Sequence, residues 1–119
     1  MLNLSFLLRP GSCGYFCLKY IIKEKIEFES YMSLFRIKKV LNDKGYYCTC
    51  IRINKLEDVE VPCLTLIKIN KYNYHYVVLK KIKKNKIYFY DPLFILGRRN
   101  KTKYFANNWS GICLYYIKI

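Results

Sequence analysis

The sequence predicts an α+β fold, with N-terminal helices packed on an antiparallel sheet. Three observations predict it. Apolar side chains recur at helical spacing only ahead of Gly45. From Tyr46 onward the runs are β-branched and aromatic, with the short period of strands. No repeat, low-complexity tract or Pro/Gly-rich linker divides the 119 residues, so one domain over 1–119 is expected.

The first helix is expected over Cys13–Lys23, where Tyr15, Phe16, Leu18 and Ile22 fall at helical spacing. Arg9-Pro10-Gly11-Ser12 ahead of it reads as a turn and N-cap, which places Cys13 in the first helical turn. A second helix fits Ser30–Lys44, with Tyr31, Leu34, Ile37 and Leu41 on one face and Gly45 as its stop. Strands are expected at Tyr46–Ile53, Val61–Ile69, Tyr74–Ile82 and Lys86–Tyr90. Lys83-Lys84-Asn85 is a hairpin connection, and Asp91-Pro92 ends a strand because proline cannot continue a central ladder. A loop with Gly97-Arg98-Arg99-Asn100, a short turn at Tyr104–Asn108 and a last strand at Ile112–Ile117 complete the reading.

Charge narrows the partners. Lys and Arg number 22 against 8 Asp and Glu, a formal net charge of +14. That suits nucleic acid, an anionic membrane surface or an acidic peptide. The abundance of Lys, Ile, Asn and Tyr is also what an AT-rich genome encodes, so part of the excess reads as solvated surface. Aromatics and lysines interleave at Lys71–Tyr74 and Lys86–Tyr90, but no DNA- or RNA-binding motif accompanies them, and nucleic acid is not the expected partner. Leu2 to Leu8 is too short to span a bilayer and lacks the flanks of a secretory signal. A soluble, cytoplasmic chain is the expectation.

Six cysteines in such a chain are expected to be free thiols. Cys48-Thr-Cys50 is tighter than the usual zinc knuckle, and with one histidine in the chain no metal site is expected. Cys48, Cys50 and Cys113 lie in apolar segments and read as small core residues.

Cys13 reads differently. A thiol is nucleophilic as thiolate, which the free N–H groups and partial positive charge of a helix N-terminus stabilise. It also needs an imidazole to take its proton and a third group to orient that imidazole. His75, the sole histidine, starts an apolar strand at Tyr74–Leu79, and Asp91 closes the next strand. If the two strands form a hairpin, His75 and Asp91 meet at one end of the sheet. Each residue also has a plain reading: a packed polar side chain, a turn former, a space-filling thiol.

Four stretches, in order, resemble the bacteriocin-processing double-glycine leader peptidases found at the N-termini of certain ABC exporters. They are Ser12-Cys13-Gly14-Tyr15-Phe16-Cys17-Leu18, Pro62-Cys63-Leu64, Tyr74–Leu79 and Tyr90-Asp91-Pro92. A fifth, Phe105 to Trp109-Ser110-Gly111, is similar to the family's closing segment. C-G and D-P are common dipeptides, and the specificity lies in the ordered set, which spans nearly the whole chain. The resemblance implies a papain-like cysteine peptidase fold with Cys13 as nucleophile, His75 as base and then acid, and Asp91 as the orienting group. It implies cleavage after Gly-Gly in a leader peptide, no cofactor, and the membrane and ATPase domains of an exporter as partners, with the domain at the cytosolic face of the membrane. Such leaders are often acidic amphipathic helices, which an excess of Lys and Arg would suit.

Two positions depart from the family pattern. Leu7 stands where the family has a glutamine that donates to the oxyanion, and Ser12 stands where it usually has aspartate. Losing one oxyanion donor typically lowers a rate by about 10²–10³. The alternative to an active peptidase is therefore a degenerate domain that holds a leader or cargo without cutting it. Those versions typically lack the nucleophile, which this chain keeps. A thiol enzyme of the wider papain-like group, acting on another bond, is a third reading.

Overall fold

The computed structural model describes residues 11–68, 71, 73–84, 86–92, 98–99 and 102–119. Its elements, in chain order, are α1 (Cys13–Ile22), α2 (Leu34–Asp43), β1 (Tyr46–Arg52), a 3₁₀ turn (Leu56–Asp58), β2 (Cys63–Lys68), β3 (Tyr74–Lys83), β4 (Lys86–Tyr90), β5 (Arg98–Arg99), α3 (Thr102–Asn108) and β6 (Trp109–Lys118). The strands make one six-stranded antiparallel sheet among the described residues, in the order β1-β6-β2-β3-β4-β5.

Strand alternation builds two cores, one on each face. Cys48, Leu64, Val78 and Leu114 meet Cys17, Leu18, Ile21, Ile22, Ile37 and Leu41 from α1 and α2. Their sequence neighbours Cys63, Val77, Leu79 and Cys113 point the other way, to Val59, Ile87, Phe89 and Phe105. Val77, Val78 and Leu79 are consecutive and all fully buried, because both faces of β3 are covered. The apolar run that carries His75 is thus a central strand.

α2 starts later than the sequence suggested. Ser33 accepts a hydrogen bond from the Arg36 amide at 3.1 Å and is the N-cap. The Tyr31 amide is engaged instead by the Gly11 carbonyl at 2.9 Å, and Tyr31 has φ of 52°. Its side chain is exposed, not part of the buried helix face. This bond ties the strap ahead of α2 to the turn ahead of α1. Gly45 ends α2 as expected, with φ of 89°.

Other differences are local. Cys50 is exposed, not a core residue, because it lies on edge strand β1 where α2 no longer covers the sheet. The Arg98-Arg99 pair, expected in a loop, pairs with β4 as β5. The expected turn at Tyr104–Asn108 is helix α3, and the last strand begins at Trp109, where the indole N–H donates to the Thr65 hydroxyl at 2.9 Å.

Candidate active site

Two elements converge on the site: the N-terminus of α1 and the end of the β3–β4 hairpin. In the hairpin Val78 pairs with Tyr90. That register sets Asp91 opposite Val77, on the same face as His75 and diagonal to it, within reach of a long side chain. His75 Nε2 lies 3.1 and 3.0 Å from the two Asp91 carboxylate oxygens. Both side chains are almost wholly buried, at 3% and 0% exposure. A carboxylate out of water needs hydrogen-bonded compensation, and an Nε2–H shared between its two oxygens gives it. Donation from Nε2 puts the lone pair of the neutral ring on Nδ1. Nδ1 is buried and has no hydrogen-bond partner.

The thiol arrives from the other side. Ser12 sits at the N-cap of α1, but its φ of −83° and ψ of −10° are helical and its side chain makes no cap bond. The first-turn amides are therefore left for another acceptor, and the Cys13 and Gly14 N–H groups both act on the Cys13 sulfur. A third donor comes from β3: the Tyr76 N–H points at Cys13 Sγ, 3.5 Å away. The Tyr76 carbonyl accepts from Cys17 Sγ at 3.4 Å, one helical turn along. Two thiols of α1 thus engage both polar backbone groups of the residue next to His75. Tyr76 is anchored in turn by its hydroxyl, which donates to the Met32 carbonyl at 2.8 Å.

This close approach explains the glycine after Cys13. A Cβ on Gly14 would lie 3.2 Å from Met32 Cβ, 3.3 Å from Ile37 Cδ1 and 3.4 Å from Tyr76 Cδ2. A side chain there would require Met32 and Ile37 to give way by a few tenths of an ångström.

Burial pushes the Cys13 thiol up from its ordinary value. The Tyr76, Gly14 and Cys13 amides oppose that shift, and the Asp91 charge adds to it. No hydrogen bond joins the thiol to His75 Nδ1. Burial also raises Cys17, well above its usual range, and raises Tyr76 and Tyr90 to about 12.

The structure therefore brings Cys13, His75 and Asp91 to one end of the sheet. No role for Tyr76 or Cys17 was legible in the sequence, because Tyr76 acts through its backbone and the partner of Cys17 is a carbonyl on another element. Leu7 lies outside the described residues. Among the described residues no group of three His, Cys, Asp or Glu could hold a metal ion, and no helix is long and apolar enough to cross a membrane. Nucleophilic chemistry would need a thiol and a proton acceptor, and Cys13 and the unpartnered Nδ1 of His75 are the groups of those types at this end of the sheet.

An antiparallel sheet with a cysteine-headed helix against it, and a His–Asp pair on the adjoining hairpin, is the architecture of the papain-like cysteine peptidases. Residues 22–118 match the model of the Peptidase C39 family, and the chain belongs to that family. The match contains His75 and Asp91 and begins beyond Cys13. Among curated proteins none matches the sequence. Among solved structures, a double-glycine-motif protease from an AMS/PCAT transporter, in complex with its leader peptide, aligns with a TM-score of 0.76 and 21% identity, over 94% of this chain and 88% of that one. The peptidase domain of Streptococcus mutans ComA, bound to a small-molecule inhibitor, aligns with a TM-score of 0.73 and 19% identity, over 92% and 94%. The N-terminal peptidase C39-like domain of a toxin secretion ATP-binding protein from Vibrio parahaemolyticus aligns with a TM-score of 0.67 and 10% identity, over 94% and 99%. At these identities the likeness is one of fold.

The raised thiol and phenol values have a consequence for stability. A group whose folded pKa lies above its unfolded one holds its proton longer in the folded state, so its contribution is complete below the unfolded value and is lost as pH rises through the folded one. For Cys13 and Cys17 the loss starts near the free-thiol value of 9.0, and for Tyr76 and Tyr90 it runs from 10.0 to about 12. Urea unfolding under reducing conditions should show stability falling from pH 9 upward. A Cys13→Ser/Cys17→Ser variant should lose less over the first part of that range.

Proposed function

We propose that this chain is a cysteine endopeptidase that removes a leader ending in Gly-Gly from an exported precursor peptide, cutting after the second glycine. The observation that carries the reading is the bare Nδ1 of His75, buried and unpartnered while Asp91 holds the ring's other nitrogen. A histidine kept only for packing would have both nitrogens satisfied. In the proposed reaction substrate closes over the site, Cys13 passes its proton to Nδ1, and the thiolate attacks the glycine carbonyl. The amides at the start of α1 face the developing oxyanion. His75 then gives the proton to the leaving amine, and water, deprotonated by His75, releases the leader as its carboxylate. Asp91 keeps the imidazole in the right tautomer and stabilises the imidazolium.

The leader-bound neighbour supports Gly-Gly leaders as the substrate class, and the transporter relatives support a place beside the membrane and ATPase domains of an exporter, in the cytoplasm. No cofactor is required by these steps. Leu7, where the family's donor glutamine is missing, favours a second reading in which the domain binds a leader without cutting it.

Incubation with peptides whose leaders end in Gly-Gly, followed by mass spectrometry, separates the two. Cleavage after the second glycine should occur in the wild type and disappear in Cys13→Ala. Asp91→Ala, which leaves nothing to hold the Nε2–H tautomer, should lower kcat by on the order of 10²–10⁴, the share that general acid–base catalysis supplies. Leader binding by wild type and Cys13→Ala alike, with no cut, would establish the docking reading instead.

Thiol reactivity tests the proton acceptor directly. With His75→Ala, no imidazole is left to take the thiol's proton, and alkylation of Cys13 by iodoacetamide should have its pH midpoint above that of the wild type. The wild type should alkylate with a lower midpoint, because the imidazole takes the proton. Equal midpoints would remove His75 from the mechanism.

A further inference from the structure

The positive charge is unevenly placed. Beyond Glu60 the chain carries twelve Lys and Arg, and its sole acidic residue there is Asp91, which is buried against His75. Five of the twelve lie within seven positions, at Lys80, Lys81, Lys83, Lys84 and Lys86, and all five are exposed. They surround the tip of the β3–β4 hairpin. Pairing sets Lys83 directly opposite Lys86 and Lys81 opposite Tyr88, so three ammonium groups and one phenol share a face. Ile82 and Ile87, between them, turn to the opposite face and its core.

That face is the one α1 covers further along, where Tyr20 stacks on Tyr90 with ring centroids 4.4 Å apart. Lys80 lies over the Tyr20 ring, 5.8 Å from its centroid, at the end of the helix, and Lys83, Lys84 and Lys86 lie further along the hairpin. A cleft of about 400 Å³ opens there, lined by Lys83, Lys84, Lys86 and Tyr88. Among the described residues none of Lys81, Lys83, Lys84 and Lys86 is ion-paired, and the acidic residue nearest them in sequence, Asp91, is buried against His75. A like-charged pair placed directly across a ladder is destabilising by itself. An anion bound between the two side chains would remove that repulsion.

The peptidase site leaves this feature unused. His75 lies at the start of β3 and Lys83 at its end, about 26 Å apart at roughly 3.3 Å per residue.

We propose that the hairpin tip, with Lys83, Lys84 and Lys86 around Tyr88, is a docking surface for the anionic headgroups of a phospholipid membrane. The arrangement is an open strip of exposed ammonium groups, with no buried donor converging on one point as a free phosphate would need. Such a strip matches the spread negative charge of a bilayer surface, where each lysine contributes on its own. The half-buried Tyr88 supplies the amphipathic ring that suits the headgroup level. The inference stands apart from the peptidase reading and would survive its failure.

The test is co-sedimentation of the whole chain with vesicles of phosphatidylcholine alone, or with about 30% phosphatidylserine, in about 0.1 M salt. Binding should require phosphatidylserine. Lys83→Gln/Lys84→Gln/Lys86→Gln should weaken it about a hundredfold, at roughly fivefold for each lysine. Lys25→Gln/Lys39→Gln/Lys55→Gln removes the same charge from exposed positions elsewhere and should leave most of the binding intact. Equal losses in the two variants would reduce the effect to net charge and overturn the proposal, as would absence of binding to the anionic vesicles. Inorganic phosphate or a short DNA duplex that binds more tightly than the vesicles, with the same dependence on the hairpin lysines, would overturn the choice of a lipid surface. Far-UV circular dichroism of both variants should match the wild type, because neutral glutamines relieve the Lys83–Lys86 repulsion.

Discussion

The contact between His75 and Asp91 constrains more of this molecule than any other pair. A fully buried carboxylate is tolerable only when its oxygens are occupied, and the 3.0 Å and 3.1 Å approaches of one imidazole nitrogen occupy them. For the two side chains to meet, β3 and β4 must pair in the register that sets Val78 against Tyr90. A slip of one residue would turn either side chain to the opposite face and leave a buried charge unmatched. The same register places Val77 and Leu79 against Phe89 and Phe105 on one side and Val78 against α1 on the other. Core packing and site geometry are thus fixed by one alignment.

The second constraint is how α1 meets β3. The helix is held there by small atoms in tight contact: Gly14 without a Cβ, and two thiols on the backbone of Tyr76. Because Ser12 does not cap the helix, the amides of the first turn are directed at sulfur. Burial disfavours the thiolate, while three N–H donors and a bare imidazole nitrogen are arranged around the place where it would form. Ionisation of the thiol on its own is opposed by burial, and transfer of its proton to the imidazole, which leaves two opposite charges side by side, is what would offset that cost.

Much of this was legible in the chain. The change of period at Gly45 separates helices from strands, and the apolar run Tyr74–Leu79 followed by the strand that Asp91 closes points to the hairpin that joins His75 to Asp91. What could not be read depends on contacts between distant segments. The later start of α2, with Ser33 as N-cap, goes with the bond between Tyr31 and the Gly11 carbonyl, which no local signal encodes. Exposure of Cys50 follows from β1 lying at the sheet edge, a matter of strand order. Tyr76 contributes its backbone, so its side-chain chemistry gives no hint. Cys17 carries no local signal of its role because its partner is a carbonyl on another element.

The central claim is that Asp91 holds His75 with its proton on Nε2 and leaves Nδ1 as a base. Since the chain has a single histidine, its imidazole nitrogens can be followed without overlap. The decisive measurement is a long-range ¹⁵N–¹H NMR correlation of the uniformly labelled protein at neutral pH. The account predicts one ring in the Nε2–H tautomer, with Nδ1 unprotonated. A ring protonated on Nδ1, or averaging between tautomers as a free imidazole does, would contradict it.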